Sequence, residues 1–165
     1  MKICCIFIVL CSIVFFQSCS DKSNVDLESE RTEVMKVVDN FEKAHEDRDL
    51  NLLLSCFSDK PDIIILGTDE NELWVDKVSM GERQKIAYET FDKITLSVRD
   101  KIIKISRTGE QAWFYIKVNW YVESGGNQFT FDGIRTTGVL EKENDKWIIV
   151  LLHTSMPVLG QAVSY

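Results

Sequence analysis

Four polar residues near the C-terminus are of types that bind or convert small molecules. Arg135 and Thr137 alternate in one segment, and His153 and Ser155 alternate in the next. An arginine can hold an anionic or carbonyl group, and a histidine can exchange a proton near neutral pH. His153 is therefore a candidate catalytic residue. The alternative is that Arg135 pairs with a carboxylate from a helix, while His153 and Ser155 complete the hydrogen bonding at one end of the fold.

These residues are predicted to lie on neighbouring strands of one antiparallel sheet. Alternation of apolar and polar residues predicts long strands at 95–106, 111–123, 128–142 and 146–156. A turn at 143–145 would pair Arg135 with His153 and place both on the concave face of a curved sheet. That face would also carry Thr137, Ser155, Trp120 and Phe131. A slip of one residue would reverse the assignment.

The first half of the chain is predicted to be mainly helical. Apolar spacings of three and four residues predict a helix over 27–45, and a shorter helix follows at 49–57. After a short strand at 63–66 and Trp74, a third helix is predicted to start at Ser79 with a capping box. Helices followed by long antiparallel strands are typical of the α+β class. About three helices would close the curved sheet around a cavity.

The other candidates for proton chemistry are less promising. His45 lies where the first helix is predicted to end, and we expect it to be exposed because a cation there suits the helix dipole. Tyr88 on the third helix could donate a hydrogen bond, although packing is the simpler interpretation. No Asp or Glu of the long strands is predicted to point inward. A base at His153 would therefore lack an orienting carboxylate.

The order of these elements resembles the SnoaL-like branch of the nuclear transport factor 2-like superfamily. The motifs that carry the resemblance are RTT at 135–137, KWII at 146–149 and HTS at 153–155. The resemblance implies a cystatin-like α+β cone over about residues 33–157. One departure is Asp76, where members often have glycine two residues after the tryptophan that is Trp74 here. The superfamily contains isomerases, dehydratases, cyclases and members without known catalysis, so the resemblance implies the fold more than an activity.

The N-terminal residues resemble the leader of a bacterial lipoprotein. Lys2 precedes an apolar block at 3–16, which is shorter than the roughly 20 residues that span a bilayer and is typical of a secretory signal. The motif FQSC at 16–19 resembles a lipobox, although its first two residues are not the usual ones. In lipoproteins the chain is cut before this cysteine, which carries lipid. An ordinary signal peptide or an uncleaved anchor is the alternative.

The resemblance predicts a division of the chain and a location in the cell. The division is a signal peptide at 1–18, a flexible tether at 19–28 and a single domain at 29–160. Lipid on Cys19 would anchor the domain to a membrane of the bacterial cell envelope, at the outer membrane or facing the periplasm. More than one acyl chain is needed for firm anchoring.

Composition disfavours several other classes of function. The 165 residues carry a formal net charge of −7 and no basic cluster, which disfavours a nucleic-acid partner. If the leader is removed and Cys19 is acylated, Cys56 is the one cysteine left. We therefore expect no disulfide, no metal site and no cofactor, and we expect Cys56 to be a buried apolar residue.

Three functional hypotheses follow. The first is a lipid-anchored domain without established catalysis that binds a small molecule through Arg135, Thr137, His153, Ser155, Trp120, Phe131 and Trp74. The second is an isomerase, lyase or hydrolase that uses His153 with Arg135. The third is an interaction module, a homodimer in particular, that uses aromatic residues of the convex face: Trp113, Tyr115 and Tyr121.

Overall fold

A computed structural model describes residues 25–158 and residue 160 of the chain. Its three helices and six strands are α1 (Leu27–Asp47), α2 (Leu50–Ser55), β1 (Ile64–Leu66), β2 (Leu73–Trp74), α3 (Lys77–Thr90), β3 (Lys93–Ile105), β4 (Gln111–Ser124), β5 (Asn127–Glu143) and β6 (Lys146–Ser155). The predicted α+β class is confirmed. The predicted signal peptide and Cys19 lie outside the described residues. None of the described helices has the length and apolarity that a membrane crossing requires.

Each helix begins at an acidic cap that the sequence supplies. Asp26 accepts backbone N–H groups at the start of α1, and Asp49 accepts the N–H of Leu52 at the start of α2. The predicted cap of α3 is wrong. Asp76 caps that helix and accepts hydrogen bonds from both the backbone N–H and the hydroxyl of Ser79. A carboxylate at this position also suits the helix dipole.

The strands form one sheet in the order β2-β1-β6-β5-β4-β3. Neighbours are antiparallel except β1 and β6, which are parallel. The helices cover the concave face, where the buried stripe of α1 joins the core through Val34, Val38, Phe41 and Ala44. The floor and walls of an internal site therefore come from the three helices and the concave side of the sheet.

The two long hairpins have two-residue turns. Gly125 and Gly126 join β4 to β5, and Trp120 pairs with Phe131. Asn144 and Asp145, with φ of 51° and 63°, join β5 to β6. This second turn is shorter than the one predicted. Both residues have the left-handed backbone that twisted two-residue hairpins require.

Two β-bulges then change which side chains face the core. In β5 the pairs Trp120↔Phe131 and Val118↔Ile134 leave an extra residue at Gly133, whose φ is 68°. The Gly133 N–H donates to the side-chain oxygen of Asn119 at 2.9 Å. Glycine is the residue that adopts this backbone without strain.

In β6 the extra residue is Val150, because Leu140 pairs with Ile149 while Val139 pairs with Leu151. Arg135 consequently pairs with Ser155, and Thr137 pairs with His153. The side chains that these two strands direct toward the cavity include Ile134, Thr136, Leu152 and Thr154. The predicted concave placement of Arg135, Thr137, His153 and Ser155 is wrong.

Candidate functional site

A cavity of about 450 Å³ lies between the helices and the concave face of the sheet. This volume is within the range of small-molecule sites. The deep part of its lining is apolar and aromatic, and the sheet supplies one wall. The lining includes Phe41, His45, Leu53, Phe57, Ile65, Met80, Trp120, Val122, Ile134, Thr136, Leu152 and Thr154.

His45 is the polar residue at the centre of this apolar lining. It is 7% exposed, and its Nδ1 lies 3.0 Å from the hydroxyl oxygen of Tyr88. The rings of Phe41 and Trp120 meet the imidazole edge-on, with centroids at 4.8 and 4.9 Å. The predicted exposure of His45 is wrong because α1 continues to Asp47. Residue 45 follows Phe41 by four positions and so lies on the same buried helix face.

Both members of this pair are uncharged at neutral pH. Burial lowers the pKa of His45 to about 3, because the charged imidazolium would lose its hydration. Burial also raises the pKa of Tyr88, with further contributions from Asp49 and Cys56. Since Nδ1 meets the tyrosine hydroxyl, Nε2 is the ring nitrogen left for an occupant of the cavity. The pair therefore offers one neutral hydrogen-bonding group to a ligand.

Two threonines add a second, weaker polar point on the sheet wall. The hydroxyls of Thr136 and Thr154 lie 3.2 Å apart on neighbouring strands. Thr136 is 3% exposed, so this hydrogen bond is made within the protein interior. This bond gives each hydroxyl one partner. Each hydroxyl can still form further hydrogen bonds, for example with an occupant of the cavity.

The mouth of the cavity contains the charged residues of its lining. Glu72 accepts the N–H groups of Thr68 and Asp69 at 2.9 and 3.2 Å and thereby shapes the loop between β1 and β2. Arg83 of α3 lies 3.9 Å from the Glu72 carboxylate. Among the described residues that line the cavity, Arg83 is the only lysine or arginine. The mouth therefore has more carboxylates than cations.

The residues predicted from the sequence separate into two groups. Trp74, Trp120 and Phe131 line the cavity. Arg135, Thr137 and His153 are exposed on the outer, convex face, and Ser155 is half-buried beside Arg135. The residues that the sequence reasoning missed are His45, Arg83, Glu72, Thr136 and Thr154. The sequence did contain a signal for the burial of His45, because it follows the apolar residue Phe41 by four positions on the same helix.

The outer face carries a separate aromatic patch. Trp113 and Ile102 are 49% and 51% exposed, and Tyr121 is 40% exposed. A shallow groove of about 390 Å³ crosses this face beside Tyr115, Thr137 and other residues of the central strands. Exposed apolar side chains such as those of Trp113 and Ile102, which line this groove, are typical of contact sites for other molecules.

Comparisons with known proteins agree on the fold. The family model described as SnoaL-like domain matches residues 34–159. A nuclear transport factor 2-like superfamily protein from Salmonella enterica serovar Typhimurium superposes with a TM-score of 0.73 at 18% identity, covering 84% of this chain and 99% of that chain. A comparison with curated proteins found no match.

Two further solved structures share the fold. The name of the first mentions an enzyme, and the name of the second gives its function as unknown. An NTF2-like family protein from Streptomyces avermitilis, provisionally named a dehydratase, gives a TM-score of 0.70 at 14% identity, covering 79% of this chain and 99% of that chain. An NTF2-like protein of unknown function from Pseudomonas putida gives 0.65 at 13% identity, with 79% and 88% covered. At these identities the likeness shows the fold alone.

Proposed function

Because the chain belongs to the SnoaL-like domain family, we propose that it binds a small, uncharged and largely apolar molecule in the cavity between the helices and the sheet. The observation that carries this proposal is the neutral His45–Tyr88 pair within an apolar cavity of about 450 Å³. Sites of this kind bind a ligand by apolar contact and orient it with a few polar groups.

The charge distribution supports an uncharged ligand. His45 is neutral at physiological pH, so the interior offers no positive charge to a carboxylate or phosphate. Arg83 stands at the mouth beside Glu72, and Asp69 adds a second carboxylate there. An anion would therefore meet repulsion at the mouth and would lose its hydration inside. A hydroxyl or carbonyl group can instead bond to Nε2 of His45.

The same geometry favours binding over acid–base catalysis. A general base works best when its pKa is near the working pH, whereas the pKa of His45 is about 3. The alternative enzyme hypothesis relied on His153 and Arg135, and these two residues lie on the face of the sheet opposite the cavity. His45 is therefore proposed as a recognition residue.

A matched series of ligands tests the proposal. Naphthalene, naphthol and naphthoate share one apolar body and differ in having no polar group, a neutral one or a charged one. We expect naphthol to bind most tightly and naphthoate most weakly when titrated into the protein by calorimetry. His153→Ala, a change on the outer face, is expected to leave all three affinities unchanged. Tightest binding of naphthoate would contradict an uncharged ligand.

We also propose that Cys19 carries lipid and anchors the domain to a bacterial membrane. Support comes from the lipobox-like motif at 16–19 that follows the apolar block. Metabolic labelling with an alkyne-bearing fatty acid is expected to mark the wild-type chain and to fail with Cys19→Ser. Cys56→Ser is the matched control, and it should label like the wild type. Equal labelling of Cys19→Ser would contradict lipidation at this residue.

A second candidate function is the binding of a protein partner on the outer face. The exposed side chains of Trp113, Ile102 and Tyr121 favour it, because aromatic residues supply most of the binding energy at many interfaces. Trp113→Ser is expected to weaken such a complex without changing ligand affinity in the cavity. If the variant retains every interaction of the wild type, the outer face is not the contact surface.

A further inference from the structure

Two neighbouring rows of mainly apolar and aromatic side chains cross the outer face of the sheet. In the first row Trp113 pairs with Val139, and Val139 pairs with Leu151. The parallel pairing of β6 with β1 continues this row to Ile64. Side chains of paired residues on one face lie beside each other. We call both rows together the outer band, and the second row consists of Ile102, Tyr115, Thr137, His153, Leu66 and Leu73.

The outer band is exposed at both ends of the sheet. Ile102 and Trp113 are exposed on β3 and β4, and Ile64 and Leu73 are 41% and 57% exposed on β1 and β2. The helices pack against the opposite face of the sheet and do not cover these side chains. Exposed apolar surface of this extent marks a contact with a protein or a membrane.

The N-terminal segment enters the fold near one end of the outer band. Val25 packs on Gly109, because a Cβ placed at Gly109 would lie 2.5 Å from the Cγ1 atom of Val25. Gly109 belongs to the turn between β3 and β4, and Trp113 follows it by four positions. Four residues of a strand span about 13 Å. The entry point of the chain is therefore close to Trp113.

The covalent chain limits how far this entry point can be from the proposed lipid. Cys19 precedes Val25 by six positions. An extended chain spans at most roughly 3.6 Å per residue, so Cys19 lies within about 22 Å of Val25. If lipid on Cys19 is embedded in a bilayer, the bilayer surface passes close to the end of the sheet that carries Trp113. The inference drawn below therefore rests on the proposed anchoring at Cys19.

Three cations beside the outer band suit a surface of phosphate groups. Lys104 lies opposite Trp113, and Lys117 lies opposite Arg135. Among the described residues, none of these three cations forms an ion pair with a carboxylate. Like charges that are directly opposite each other destabilise a sheet, and an anion bound beside Lys117 and Arg135 would relieve the repulsion. Phosphates of lipid headgroups are anions of this kind.

The helical side of the domain is less suited to an anionic surface. Beside the outer band the nearest carboxylates are Asp100, opposite Lys117, and Glu141, opposite Gln111. Anionic headgroups repel a face on which carboxylates outnumber cations. The exposed side of α1 is such a face, with Glu28, Glu33, Asp39, Glu46 and Asp47 against Lys36 and Lys43.

We propose that the outer band lies against the surface of the membrane that holds the N-terminal anchor. Trp113 and Tyr115 enter the headgroup region, where tryptophan and tyrosine are favoured. Lys104 and Lys117 lay their aliphatic stems along this apolar surface and extend their ammonium groups to the phosphates. The outer face was also considered above for a protein partner. The position of the anchor and the unpaired cations favour the lipid surface.

Quenching of tryptophan fluorescence by brominated lipids is the most direct test. The full chain is expressed with its N-terminal segment and reconstituted into vesicles of phosphatidylcholine and phosphatidylglycerol. We expect brominated phosphatidylcholine to quench part of the wild-type emission and Trp113→Phe to lose this quenching. Trp74→Phe is the matched control and should keep it, because Trp74 lines the cavity. Equal quenching of the wild type and Trp113→Phe would overturn the proposal.

A charge reversal tests the contribution of the cations. One basic residue near an anionic surface changes the binding equilibrium roughly fivefold, so Lys104→Glu should shift the equilibrium away from contact by at least this factor. The same quenching of Trp113 in vesicles with phosphatidylglycerol measures the shift. Lys85→Glu, an exposed position on α3, changes the net charge equally and should have no effect. An equal loss of quenching in both variants would contradict a specific contact at Lys104.

Failure of the anchor and failure of the contact give different results. If the wild type does not sediment with the vesicles, the anchor is absent and the proposed contact is overturned with it. If the wild type sediments but shows no quenching that depends on Trp113, the anchor is present and the contact alone is overturned. If Trp113→Ser then converts a dimer into a monomer in light scattering, a second copy of the chain covers the outer band instead of lipid.

Discussion

The neutral state of His45 makes the stability of the protein depend on pH in a defined direction. The unfolded chain binds a proton at this residue near pH 6.5, but the folded chain does so only near its pKa of about 3. Between these values the unfolded state holds more protons, so stability falls as the pH falls. The contribution is constant above about pH 7, where both states are neutral.

We expect the free energy of unfolding of the wild type to fall by about 2–3 kcal/mol more than that of His45→Gln between pH 7 and pH 4.5. Glutamine keeps a polar group at the site but does not titrate. All other ionisable residues are common to both proteins, so their contributions cancel in the comparison. Urea unfolding at the two pH values measures the difference. If the free energy of unfolding changes equally in both proteins, His45 takes up its proton as readily in the folded state as in the unfolded state.

The hydroxyl of Tyr88 is the partner that keeps His45 satisfied in the interior. Removing it in Tyr88→Phe leaves the Nδ1 of His45 buried without that hydrogen bond. We expect a loss of about 1–3 kcal/mol in the free energy of unfolding. Tyr115→Phe on the outer face is the control and should change stability by less than about 0.5 kcal/mol. An equal effect in both variants would argue that the Tyr88–His45 contact contributes little.

At the scale of the elements, most of the fold could be predicted from the sequence and the register could not. The apolar spacing predicted α1, and the alternation predicted the four long strands, because each repeat reflects one buried face. Register depends on single residues, since one bulge moves every later side chain to the other face. The Asp132-Gly133 step was the available signal for the β5 bulge. Val150 gave no comparable signal.

Gly138 tests the close packing that the corrected register produces. A Cβ there would lie 2.3 Å from the Phe114 ring and 3.1 Å from the backbone oxygen of Leu151. We expect Gly138→Ala to lower the free energy of unfolding by about 1–3 kcal/mol, because the ring must move within a packed core. Thr137→Ala, at the neighbouring exposed position, should cost less. Chemical denaturation compares the two, and a neutral Gly138→Ala would contradict this packing.

At the scale of the whole molecule, the site depends on contacts between segments that are far apart in sequence. His45 comes from α1 and Tyr88 from α3, and Trp120 belongs to β4. Sequence reasoning found the sheet residues Trp120 and Phe131 because their alternation was clear. It missed His45 because a histidine near a polar helix end is more often exposed, and only the fold shows that α3 and β4 cover it.

The most direct test of the proposed ligand site compares naphthol and naphthalene in the wild type and in His45→Leu/Tyr88→Phe. Replacing both partners by apolar groups avoids leaving one of them buried and unsatisfied. We predict that the double variant binds naphthol about 5- to 10-fold more weakly than the wild type and binds naphthalene equally well. Unchanged affinity for naphthol, or equal loss for both compounds, would contradict the assignment of His45 as the recognition residue of the cavity.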